Sequence, residues 1–158
     1  MIPAALMAAV TCVFTMVVKI PSPMKGYLNL GDCAVLAAGF LLSPAHGFLA
    51  AGLGSALADA FSGYFLYAPA TFLIKGGMAL IACFVFRGLF EKTGKLFARI
   101  VGGVLAETWM VVGYLLFESV LYGFLPSLVN VPANAAQGVA GLVLGVLFAR
   151  ALQRLKLF

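Results

Sequence analysis

APATFLIKGGMALIACFVF, residues 68–86, carries a single charged group, Lys75, in an otherwise apolar run. At ~1.5 Å of rise per residue such a helix reaches ~30 Å, the thickness of a bilayer's hydrocarbon core. The run predicts a membrane span, and the rest of the chain repeats its character. Across 158 residues, 64% are hydrophobic, 9% are charged and the mean hydropathy is +1.13, where a soluble domain has about a quarter of its residues charged.

Further apolar runs lie on both sides of this one. Together they predict helices over 3–18, 31–42, 47–60, 68–86, 97–121 and 132–152, within one membrane domain covering residues 1–158. KIPSPMKG at 19–26 ends the first run with two prolines and two lysines. SPAHG at 43–47 separates the second and third, which are short and are expected to form a compact hairpin shielded by their neighbours. The expected class is an all-α integral membrane protein, a bundle of six transmembrane helices.

Basic residues orient it. Arg87, Lys92, Lys95 and Arg99, together with Arg150, Arg154 and Lys156, fall on one side, and only Lys19 and Lys25 on the other. Positive charge collects on the cytoplasmic side, so both termini and the 87–99 connection are expected there, with 19–31 and 61–67 outside. Met1–Val18 lacks the basic start of a secretory signal and is read as a span. The same topology accounts for the net charge of +5 without nucleic acid. The expected setting is a plasma membrane.

Chemistry-bearing motifs are sparse. Cys12, Cys33 and Cys83 lie in apolar segments without metal-ligand spacing, and His46 stands alone in a turn, so no metal, cofactor or catalytic constellation is expected. No phosphate-binding GxxxxGK[ST] loop is present. The chain is read as a non-enzyme.

Polar groups inside spans are costly unless paired or facing water. Lys75 lies about 10 Å inward from the start of its helix at ~1.5 Å per residue. Glu107, Tyr114 and Glu118 share one face of the fifth helix at spacings of seven and four, and Asn134 and Gln137 stand three apart on the sixth. With Tyr64, Tyr67 and Trp109 these predict a pocket in the outer half of the bundle, amides and flat rings suiting a small heteroaromatic solute. A buried Lys–Glu pair with interhelical amide bonds is the competing structural reading. Asn29 and Asp32 admit two explanations, helix capping or part of a lid over the pocket. Asp59 similarly either ends a helix or lines the entrance. Small residues at helical spacing, Ala4 with Ala8 and Gly141 with Gly145, permit close helix approach, either within the bundle or, for the alanines, to a partner.

The small-residue start (Ala4, Ala8), GYLNLGD (26–32), LGSALADAFSGY (53–64), YAPATFLIKG (67–76) and the ETW, GY and FE elements across 107–118 resemble the substrate-binding S component of energy-coupling factor (ECF) transporters. The resemblance covers nearly the whole chain. It implies a subunit that captures a vitamin or precursor from outside and works with a transmembrane T component and two ATPases. It also implies that Ala4 and Ala8 face the T component. Lys75, Glu107, Glu118, Asn134 and Gln137 are similar to the set in members that take hydroxymethylpyrimidine- or pyridoxine-like compounds. A stand-alone facilitator or channel, and a non-transporting membrane scaffold, are the alternatives.

Overall fold

A computed structural model describes residues 2–21 and 27–155; Lys25 and Gly26 of the first connection and Lys156 near the end lie outside the described residues. The helices are α1 (Ile2–Val17), α2 (Gly31–Leu41), α3 (Pro44–Phe61), α4 (Ala68–Thr93), α5 (Lys95–Tyr122), a short α6 (Phe124–Ser127) and α7 (Val131–Arg154), with a single 3-10 turn, Leu128–Asn130, before α7. Between α1 and α2 a two-stranded antiparallel ribbon, β1 (Ile20–Pro21) and β2 (Tyr27–Leu28), sets Ile20 opposite Leu28 and Pro21 opposite Tyr27.

Helix α2 is the axis of the bundle. Residues Gly31 to Phe40 are all buried, and α1, α3, α4 and α7 pack around them. The sequence explains this: GDCAVLAAGF holds small and branched apolar residues on every face, so no stripe of the helix prefers solvent or lipid. Glycine sets the closest approaches. A methyl group on Gly39 of α2 would stand 2.7 Å from the Ala79 carbonyl oxygen of α4, and one on Gly54 of α3 would overlap the Ala8 carbonyl of α1.

Among the described residues three helices, Ala68–Thr93, Lys95–Tyr122 and the stretch Phe124–Arg154, are long and apolar enough to cross a membrane; α1 and α2 are apolar but shorter. The basic segment 87–99, expected as a loop, is helical almost throughout. α4 runs to Thr93 and α5 starts at Lys95, with only Gly94 between them at φ 86°, a left-handed conformation that glycine adopts without a side-chain clash. Arg87 donates to the Leu42 carbonyl at 3.2 Å, serving a backbone group left free where α2 ends. Arg99 is 2% exposed, with its guanidinium against the rings of Phe40 and Phe86 and a 2.6 Å bond to Gln153 Oε1. It is a packed residue, since a planar, weakly hydrated guanidinium stacks on aromatic faces where an ammonium would not. His46, expected in a turn, belongs to the first turn of α3, where its Nδ1 lies 2.7 Å from Ser43 Oγ.

Candidate functional site

The segment after the ribbon and the start of α2 meet α4 and α7 in a chain of polar contacts. Asp32, in the first turn of α2, is fully buried and pairs with Lys75 of α4, which is 3% exposed. Its second oxygen accepts a 2.6 Å bond from Gln137 Nε2 of α7. Gln137 turns its Oε1 to the backbone N–H of Asn29, at 2.9 Å, and Asn29 Oδ1 in turn accepts from the Gly31 N–H at 2.8 Å. One amide therefore ties the ion pair to the segment just after β2. Asp32 is not a cap, because α2 has no side-chain cap bond and the carboxylate is committed to Lys75 and Gln137. Lys75 pairs with this aspartate and not with a glutamate.

Beside that chain lies a cavity of about 40 Å³ lined by Tyr27, Asn29, Asp59, Tyr64, Tyr67, Thr71, Tyr114, Glu118, Asn134 and Gln137. Its wall is held by short bonds. Tyr27 donates to Asp59 Oδ1 at 2.6 Å, the Thr71 and Tyr114 hydroxyls meet at 3.1 Å, and both Glu118 oxygens lie 3.0 Å from Asn130 Nδ2. Burial, and next the Asp59 carboxylate beside it, push the Tyr27 phenol above its ordinary range. Rings of Tyr27 and Tyr64 sit 5.0 Å apart, Tyr64 and Tyr67 6.3 Å, and Tyr67 and Phe117 5.3 Å. Sites for drug-sized ligands occupy ~300–1,000 Å³, so these side chains close the space down to little more than water.

Six of the expected site residues, Asn29, Tyr67, Tyr114, Glu118, Asn134 and Gln137, line this cavity. Lys75 stands behind the wall, its Nζ 5.4 Å from the Tyr114 ring centroid. Glu107 is elsewhere: it lies against Gly138 and Gly141 of α7, on the floor of a separate, mainly apolar groove between α5 and α7 of about 290 Å³. Neither of its oxygens has a hydrogen-bond partner among the described residues. Trp109, expected among the aromatics of the pocket, is 45% exposed on the outside of α5 and donates to the Ile74 carbonyl at 3.1 Å. Asp59 lines the cavity, and so do Tyr64 and two residues the sequence reading passed over, Tyr27 and Thr71. Thr71 precedes Lys75 by four residues and so shares its helix face; that spacing was the available signal. Tyr27 had none, because its place depends on the ribbon.

Ala4 and Ala8 are partly buried and pack against the bundle's own core, with the Ala8 carbonyl backing Gly54. The exposed side of α1 carries Ile2, Ala5, Leu6, Ala9, Val13 and Met16.

Comparison with known proteins points one way. The family of ECF-type riboflavin transporter S components matches residues 1–154. A Pyrococcus woesei protein, described only as an uncharacterized protein in a gap 3′ region, is 38% identical over 135 residues, spanning 84% of this chain and 87% of that one. In fold, the chain is similar to a solved S component of a bacterial ECF transporter, with a TM-score of 0.72 at 19% identity, covering 98% of this chain and 95% of the other.

Proposed function

We propose, from the premise that this chain belongs to the family of ECF-type riboflavin transporter S components, that the cavity between the ribbon, α4, α5 and α7 is its vitamin site. Membership makes the protein a substrate-binding subunit of an ECF importer, and the finer reading concerns what it binds and how it sits. The observation that carries that reading is the convergence of Asn29, Glu118, Asn134 and Gln137 with four tyrosines on one cavity, in a chain where polar groups are few. The solute is a small unphosphorylated vitamin or precursor, hydroxymethylpyrimidine- or pyridoxine-like, with riboflavin the rival that the family's description supplies. A transmembrane T component and two ATPases would power its release inward.

In this reading the chain spans a prokaryotic plasma membrane six times, with both termini and the α4–α5 turn cytoplasmic and the ribbon outside. Ala4 and Ala8 remain the proposed partner contact, now together with the exposed residues beside them on α1. Single cysteines at Lys25 and Lys95, in a chain with Cys12, Cys33 and Cys83 replaced, should label from opposite faces of intact cells. Labelling of both from one face would overturn the topology.

Function is tested by purifying the protein alone and with its T component and ATPases, then measuring binding and uptake of riboflavin, pyridoxine and hydroxymethylpyrimidine. Tight binding by the isolated chain with uptake only by the complex is expected. Uptake by the isolated chain would make it a facilitator, and absence of any binding would make it a scaffold.

A further inference from the structure

The polar wall of the cavity is lopsided in charge. Two carboxylates, Asp59 and Glu118, line it, and no lysine, arginine or histidine does so among the described residues. The buried cation nearest to it, Lys75, is taken by Asp32. Lys19 lies at the rim, bonded to Ser62 and 5.3 Å from the Tyr27 ring centroid, and Arg99 is held among Phe40, Phe86 and Gln153.

Glu118 is the sharper case of the two. It is 3% exposed, and both of its oxygens accept from one neutral amide nitrogen, Asn130 Nδ2. A carboxylate has about four acceptor positions, and burying one without a counter-charge is expensive unless something else completes it. Around it the tyrosine rings offer negatively polarised faces, which attract cations and stack with flat rings. An anionic solute would instead meet two carboxylates at close range.

Resting on the cavity as the substrate site, we infer that it selects a flat heteroaromatic solute presenting a positively charged or amidine-type nitrogen edge to Glu118. In an aminopyrimidine the exocyclic amine and the neighbouring protonated ring nitrogen form such an edge. It donates two parallel hydrogen bonds to one carboxylate, a pairing stronger than neutral bonds. Riboflavin has no cationic edge, and a phosphorylated vitamin brings the wrong sign.

The experiment uses calorimetry on the full chain in detergent with three probes: a hydroxymethyl-bearing aminopyrimidine, its oxo analogue of the same shape in which a carbonyl replaces the amine, and riboflavin. The aminopyrimidine should bind wild type about tenfold to a hundredfold more tightly than the other two, the worth of one buried charge-assisted contact. Glu118→Gln should erase that preference, because a neutral amide no longer rewards a cationic edge. Should Glu118→Gln fail to fold, the wild-type ratio between amine and oxo compounds decides alone. Equal or tighter binding of riboflavin or the oxo analogue overturns the charge inference and leaves the transport reading standing. Failure of every probe to bind overturns both.

Discussion

Lys75→Ala should cost the folded bundle about 3–5 kcal/mol, the typical penalty for removing one partner of a buried ion pair. Asp32 would remain fully buried, with only the Gln137 amide to answer its charge. The loss should spread along the chain of contacts, since Gln137 also holds the Asn29 backbone, so solute binding should weaken with stability. Thermal unfolding in detergent measures the first and ligand titration the second. Asp32→Asn alone should be comparably damaging, because it strands the ammonium. Combining Asp32→Asn with Lys75→Met removes both charges and should restore much of the melting temperature. A Lys75→Ala protein that melts with the wild type would show that the pair contributes nothing, and a double variant no better than the singles would show that packing, not charge, is at stake.

Gly54→Ala should destabilise by about 1–3 kcal/mol, and Gly54→Leu by more, as overpacking of a filled interior does. The added carbon would overlap the Ala8 carbonyl and stand 2.8 Å from Thr11 Cβ. Backbone cannot swing aside as a flexible side chain can, so α1 must move away from α3. Thr11 is itself fully buried and bonded to the Met7 carbonyl at 2.8 Å, which leaves that face of α1 little slack. The measurement is the melting temperature of each variant, together with co-purification of the T component. If α1 also serves as the partner contact, assembly should fall more steeply than ligand affinity; loss of both in equal measure would show that α1 acts only through the bundle's own packing.

What could be read from the sequence followed physical scale. Long apolar runs declare themselves because a lipid-facing helix has no other place to put its backbone groups, and α4 and α5 extend beyond those runs because the bundle continues past its apolar part. Glu118, Asn134 and Gln137 were legible as residues facing a common cavity, since a polar side chain within such a run must face something other than lipid. Spacing along one helix says which face a residue is on but not what faces it. Asp32 therefore read as a cap or part of a lid, while its ion-pair partner stood 43 residues away, and Glu107 read as sharing a face with Glu118 although its side chain lies against the glycines of α7. Arg99 read only as a boundary charge, since positive charge marks a membrane boundary on average, and nothing local announces that Phe40 and Phe86 lie against it.

The burial of α2 on every side bears on how the protein is made. Eleven residues are about half the ~20 needed to cross the hydrocarbon, and an isolated helix that short is scarcely stable, since lengths below ~12–15 residues are marginal. With Asp32 in its first turn, α2 gains little by leaving the insertion machinery for lipid on its own. Lys75, which neutralises that aspartate, is synthesised 43 positions later. The helix at the centre of the bundle therefore gains its partners only as later helices are made, Lys75 with α4 and Gln137 with α7, so the middle of the architecture is completed by its C-terminal end.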